Sequence, residues 1–207
     1  TSRSCHPARN EGSDELLSVA LNTSTNAFQI LHYVQNDTNG RMTKWNIMKE
    51  KINKTNVARL LDKAKVNYEL IPYEVDENDL SAPHVAESLG ENIEQVFKTL
   101  VLHGEKSGYF VCVIPGEHEV NLKMAAKVSG NKKCDLIPMK DLLPLTGYIR
   151  GGCSPIGMKK HFPTYIHESC MDFPHIYVSA GVRGLQIKIA PSDLIRESKA
   201  QICLLFE

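Results

Sequence analysis

The chain has 207 residues, 42% of them hydrophobic, with 24 basic residues against 24 acidic ones. That is apolar content enough for one sizeable core. No run of about 18 apolar residues occurs, which excludes a helix spanning a membrane, and the N-terminus lacks the apolar stretch of a signal peptide.

Residues 1–47 are rich in Ser, Thr and Asn and carry little regular apolar period. Val19 to Leu21 and Phe28 to Val34 could form short elements, but neither is convincingly capped. Met42 and Met48 are both plausible starts. The segment is expected to be a leader, a remnant of expression or an over-extended start; the alternative is an N-terminal extension docked on the domain. Residues 48–207 are expected to form the functional domain.

From Lys54 the pattern sharpens. Val57, Leu60, Leu61 and Ala64 fall at helical spacing, with Thr55 or Asn56 as the cap. Tyr68 to Tyr73 alternates as a strand. Ser81 suits an N-cap, Pro83 a first turn and Gly90 the end of a helix through Val85 to Leu89. Ile93 to Val96 reads as a single helical turn. Phe97 to Leu102 and Tyr109 to Ile114 read as a hairpin around Gly104 to Gly108. Leu122 to Ser129 is an amphipathic helix stopping at Gly130, and Asp141 to Leu143 is one helical turn. Tyr165 to Glu168, Ile176 to Ser179 and Leu185 to Ala190 read as strands, and Ser192 to Glu197 closes as a helix. Short strands interrupted by single helices, without regular βαβ alternation, predict an α+β domain with a mixed sheet.

Charge is unevenly placed. Residues 48–97 hold 6 Lys/Arg against 10 Asp/Glu, whereas residues 98–161 hold 10 against 5. This basic third can attract a polyanion although the whole chain is neutral. It contains the stretch GYIRGGCSPIGMKK, residues 147–160, with glycines at 151, 152 and 157. Glycine lets backbone N–H groups approach a ligand, and such a loop can cradle an anion or a carbonyl. Taken alone, a Gly/Pro cluster is also what any tight turn looks like.

Other chemistries find less support. The six cysteines include no C-x-x-C pair, against a zinc ribbon or thioredoxin-type site, and read as reduced thiols. Cys153 sits in the glycine loop, but nothing in the sequence fixes a His or Asp partner for a nucleophile. His161 and His167 are separated by a Pro-containing segment, and no His/Cys/Asp group has metal-ligand spacing. The phosphate-loop motif G-x-x-x-x-G-K-[ST] and the elbow G-x-S-x-G are both absent. Lys98 stands out in QVFKTLVL. A lysine entering an apolar strand is costly to bury unpaired, so it points to solvent, to a carboxylate or into a ligand cleft.

The series K-T-L, GYxxGGxSPxGxKK, P-T and YVSxGxRGLxI, in this order from about Asn53 to Ile195, resembles the YbaK/EbsC aminoacyl-tRNA deacylases. These are free-standing relatives of the editing domain inserted in bacterial prolyl-tRNA synthetases. The resemblance implies an α+β fold with a mixed, barrel-like sheet, and hydrolysis of the ester of a mischarged tRNA, most like Cys-tRNA(Pro). A deacylase for Ala-tRNA(Pro) or another small amino acid is the runner-up, and a non-catalytic tRNA or nucleotide module the alternative of another class. It implies no metal or cofactor, a tRNA 3′ aminoacyl end as partner with prolyl-tRNA synthetase possible beside it, no DNA or membrane partner, and a cytoplasmic place of work.

By the same resemblance the family lysine falls on Lys98, with Thr99 beside it. The glycine loop falls on Gly151, Gly152, Ser154, Pro155 and Gly157, the strand serine on Ser179 and the tyrosine ending the first strand on Tyr73. The chemistry of these residues agrees. Lys98 can meet the terminal phosphate, the N–H groups of Gly151 and Gly152 can hold an oxyanion, and Tyr73 can stack on adenine or donate its hydroxyl. No general base stands out, so a group of the substrate itself, a cysteinyl thiol or a ribose hydroxyl, is expected to aid the attack. One position and one short stretch depart from the family pattern. Gln186 stands where the best-known branch has an aspartate, keeping hydrogen bonding but losing charge. Ser81, Ala82 and Pro83 lack the bulky aromatic that some members carry.

Overall fold

The computed structural model describes residues 54–206. The expectations for residues 1–47, and the boundary at 48, lie outside the described residues. Helix α1 (Asn56–Lys63) starts where the Thr55 hydroxyl accepts a hydrogen bond from the Ala58 amide at 3.2 Å. Its buried face is Val57, Ala58 and Leu61. Burying one leucine is worth about 1.5–3 kcal/mol, so Val57 and Leu61, both fully buried, anchor the helix. Leu60, expected on that face, is instead 39% exposed and leans toward Gly157.

Strand β1 (Tyr68–Pro72) leads to α2 (Ala82–Leu89). Ser81 caps α2 and Gly90 ends it in the left-handed region at φ 67°. A single 3-10 turn, Ile93–Gln95, precedes the hairpin of β2 (Phe97–Gly104) and β3 (Gly108–Pro115). Then come α3 (Leu122–Val128), β4 (Cys134–Leu136), α4 (Met139–Thr146), β5 (Thr164–His167), a 3-10 segment Glu168–Asp172, β6 (Ile176–Ser179), β7 (Leu185–Ile189), α5 (Pro191–Ser198) and β8 (Gln201–Cys203). None of the helices among the described residues is long and apolar enough to cross a membrane.

The α+β class and the mixed pairing are as the pattern predicts. Among the described residues the strands form two sheets. One is antiparallel in the order β1-β7-β6, and the other has the order β4-β2-β3-β5-β8. In the larger sheet β4, β2 and β3 run antiparallel, while β3–β5 and β5–β8 are parallel. An isolated bridge between Val96 and Tyr177 links the two sheets just before β2. The expected single turn at Asp141 to Leu143 is an eight-residue helix with Pro144 inside it, a residue that removes one backbone donor and so hides a helix from pattern reading.

The last described residues are folded in rather than trailing. β8 pairs in parallel with β5, Leu205 is fully buried, and its carbonyl accepts from the Asn121 amide at 2.8 Å. The Phe206 ring stacks between His118 and His167, with centroids 4.0 and 3.7 Å away. His118 belongs to the loop joining β3 to α3, whose Gly116, Glu117 and Glu119 line the cleft described next.

Candidate active site

A cleft of about 670 Å³ opens where the two sheets meet. From β2 it takes Lys98 and Thr99, from the glycine loop Gly151 and Cys153, from the end of β6 Ser179 and from β7 Gln186. Ser179 and Gln186 are directly paired across the β6–β7 hairpin. Six residues far apart in sequence, five of them expected in the site, thus line one cavity.

Lys98 is half-buried, and its Nζ donates to the Gly116 carbonyl at 3.0 Å. Burial pulls its pKa below the ordinary lysine range, while the nearby Glu119 carboxylate acts the other way. Desolvation penalises the charged form and an acidic neighbour restores it. The ammonium is therefore poised at the cavity wall with one carbonyl and one carboxylate for company. Glu117 and Glu119 both line the cleft, as do Leu80, Met139, Leu142 and Arg150; the sequence reading missed all six.

Of the buried oxygens with no hydrogen-bond partner among the described residues, Thr99 Oγ1 and Gln186 Oε1 belong to residues that line this cleft. A buried polar atom left unpaired costs about 1–3 kcal/mol, so a cleft that holds two of them is built to receive donors from a ligand. Gln186 itself is 5% exposed. The Ser179 hydroxyl accepts from the Gly181 amide at 3.2 Å, which shapes the β6–β7 turn.

The glycine loop is held by two side-chain hydrogen bonds. Tyr148 donates its hydroxyl to the Ile156 carbonyl at 2.6 Å across the loop. The Arg183 Nε donates to the Arg150 carbonyl at 2.9 Å, so the β6–β7 turn grips the residue before Gly151. Gly151 and Gly157 lie in the left-handed region at φ 80° and 75°. A Cβ at Gly157 would come within 3.2 Å of Leu60, Tyr148 and Asn56, so glycine is needed there for space as well as for conformation.

Several expected roles need correcting. The Gly152 amide donates to the Ile149 carbonyl at 3.0 Å, closing a turn, so it is not a donor for an oxyanion. Gly152 is instead required because the backbone of Val182 and Arg183 approaches within 3.2 Å of where its Cβ would stand. Ser154 is fully buried, its hydroxyl accepting from the Ile156 amide. Ser154, Pro155 and Gly157 build the loop from behind and do not line the cleft. Tyr73 does not line it either; it is buried with Val85, Ala86, Val96 and Tyr177, beneath α2. Arg183, a positioning residue, was legible in the R-G-L motif but was not assigned to the site.

Cys153 lines the cleft, yet burial pushes its thiol up to about 12. A thiol so disposed is a packing group, since the thiolate is the nucleophile. Replacing it, Cys153→Ala, should keep deacylation within about tenfold, or ~1.4 kcal/mol of barrier. A loss of several orders of magnitude, together with inactivation by alkylating agents, would instead establish covalent catalysis.

Comparison with known proteins agrees with this architecture. The family model for the aminoacyl-tRNA editing domain matches residues 76–197. An Enterococcus faecalis protein, provisionally named Cys-tRNA(Pro)/Cys-tRNA(Cys) deacylase EbsC, is 51% identical over 148 residues, covering 72% of this chain and 90% of that protein. A proline–tRNA ligase of Fervidobacterium nodosum is 29% identical over 82 residues, which is 40% of this chain and 14% of that enzyme. The crystal structure of a provisionally assigned trans-editing enzyme for prolyl tRNA synthetase superposes with a TM-score of 0.64 at 22% identity, over 74% of this chain and 98% of that one, a likeness of fold. With its family model covering more than half of the sequence and a relative of that identity matched over nearly its full length, the chain belongs to the aminoacyl-tRNA editing domain family.

Proposed function

We propose that this protein hydrolyses the ester of mischarged aminoacyl-tRNA in trans, with Cys-tRNA(Pro) as its main substrate. The observation that carries this reading is the meeting of Lys98, Gly151, Thr99, Ser179 and Gln186 in one cleft fed by both sheets. Lys98 binds the phosphate of the terminal nucleotide as a point charge, its stem packed along the cavity wall. The Gly151 amide, which makes no hydrogen bond among the described residues, faces the carbonyl that becomes an oxyanion. Water adds to that carbonyl, the bond to the ribose oxygen breaks, and this oxygen takes the proton, giving free amino acid and free tRNA. Thr99 Oγ1 and Gln186 Oε1 accept hydrogen bonds from the aminoacyl-adenosine. The substrate itself moves that proton: its vicinal ribose hydroxyl or, in the cysteinyl ester, its thiolate takes it from the water and passes it to the departing ribose oxygen.

The protein would work in the cytoplasm, downstream of a prolyl-tRNA synthetase that releases mischarged product. The deacylase domain is residues 48–207. Removing residues 1–47 should leave deacylation unchanged, since the family match at 76–197 falls wholly beyond them. Insolubility or a much lower melting temperature of the shortened protein would show that the segment is integral.

The deciding assay follows deacylation of cysteinyl-, alanyl- and seryl-tRNA(Pro). Cysteinyl-tRNA(Pro) should be cleared fastest. Preference for alanyl-tRNA(Pro) would transfer the assignment to the small-amino-acid branch. Binding without turnover of any of the three would make this a tRNA-binding module, a reading that the uncharged Gln186 favours.

A further inference from the structure

A second, smaller hollow of about 390 Å³ adjoins the cleft and shares its Leu136 and Ile137 wall. It is lined by His103, Tyr109, Asp135, Pro138 and Asp141 as well. The strand registers explain its make-up. His103 is paired with Tyr109 of β3 on one side and with Asp135 of β4 on the other. Directly opposed residues share a face, so Tyr109, His103 and Asp135 form one cross-strand row. That row lies on the same face of β2 as Thr99 and Val101, which line the main cleft, because side chains alternate along a strand.

From Thr99 to His103 is four residues, or roughly 13 Å at the rise of a strand. A splayed single strand of RNA covers this with a nucleotide or two. Tyr109 packs edge-on against His103 at 4.7 Å and against Phe162 at 6.3 Å, and it remains 37% exposed. An aromatic fixed in this way is a platform for a base. The two carboxylates repel phosphate but accept from the exocyclic amino group of cytosine, and they oppose the keto oxygen of uracil.

We propose that this hollow binds the base of the cytidine preceding the terminal adenosine of the tRNA 3′ end, which reads CCA in every tRNA. Tyr109 supplies the stacking surface and Asp135 with Asp141 selects cytosine over uracil. This inference rests on the deacylase reading above and adds a nucleobase subsite outside the reacting centre.

The test compares three substrates: cysteinyl-adenosine, and the trinucleotides CCA and CUA carrying a 3′ cysteinyl ester. For the wild-type protein the CCA ester should have a KM about tenfold below that of the single nucleoside, within the range expected for one stacked base, and the CUA ester should lose most of that gain. Tyr109→Ala should erase the CCA advantage while leaving cysteinyl-adenosine turnover and the melting temperature unchanged, and Tyr109→Phe should restore it. Asp135→Asn should narrow the difference between CCA and CUA. If cysteinyl-adenosine is cleaved and CCA is no better, or if Tyr109→Ala keeps the advantage, the subsite is refuted and the deacylase reading stands. If none of the three is cleaved, the deacylase reading fails and this inference fails with it.

Discussion

Lys98→Ala should lower deacylation by about 10- to 150-fold, the loss expected for one charge-assisted hydrogen bond worth roughly 1.5–3 kcal/mol. The fold should survive. The Lys98 ammonium contacts one carbonyl, that of Gly116, and its removal exposes no charged partner deep in the core. An unchanged rate in the folded variant would remove Lys98 from the site. The pH profile supplies an independent reading. The cation is the form that binds phosphate, so activity is retained below the lysine's pKa and lost as pH rises through it. Burial has lowered that pKa, so the alkaline limb should fall below the ordinary lysine range once spontaneous ester hydrolysis is subtracted. Glu119→Gln removes the carboxylate that sustains the charge and should move the limb lower still. A limb that stays in place in that variant would show that Lys98 is not the group titrating.

Gly151→Ala should cost more in activity than in stability. The residue sits at φ 80°, where an L side chain is strained by about 1–2 kcal/mol. A Cβ there would meet only ordinary contacts, 3.5 Å from Arg183 and Leu80, so no further clash adds to the strain. The shift in the backbone that relieves the strain moves the very amide assigned to the oxyanion, and losing such a donor costs about 10²–10³ in kcat. Gly157→Ala is the control. It shares the positive φ and meets three neighbours within 3.2 Å, but it lies outside the cleft. It should melt at a lower temperature than Gly151→Ala and yet retain more activity per folded molecule. Equal ratios of activity to stability in the two variants would reduce Gly151 to a turn former.

What could be read from the sequence was whatever acts locally. Thr55, Ser81 and Gly90 announce helix ends because each satisfies backbone groups a few residues away. Lys98 was legible because its charge contradicts its neighbours. The three-residue strands β4 and β8 were not legible, since they hold their shape through partners in β2 and β5 and have too few residues to show a period. Tyr73 is placed at the ligand by the family resemblance alone; the packing of α2 over it decides otherwise. The amides of Gly151 and Gly152 are indistinguishable in sequence, and the turn to Ile149 alone separates the free donor from the committed one. The acidic residues Glu117 and Glu119 enter the cleft through the loop after β3, a placement set by long-range contacts.

The stack of His118, Phe206 and His167 has a consequence for timing during synthesis. Every residue assigned to chemistry lies at or before position 186, but the loop bearing Gly116 and Glu119 is braced by Leu205 and Phe206. A nascent chain arrested before Ala200 therefore carries the whole set of residues assigned to chemistry and lacks the ring that stacks on His118, two residues along the loop from Gly116. Such a chain, still attached to the ribosome and surrounded by correctly charged tRNA, has its cleft unfinished. Only after β8 has emerged can Phe206 slot between the two imidazoles and brace that loop.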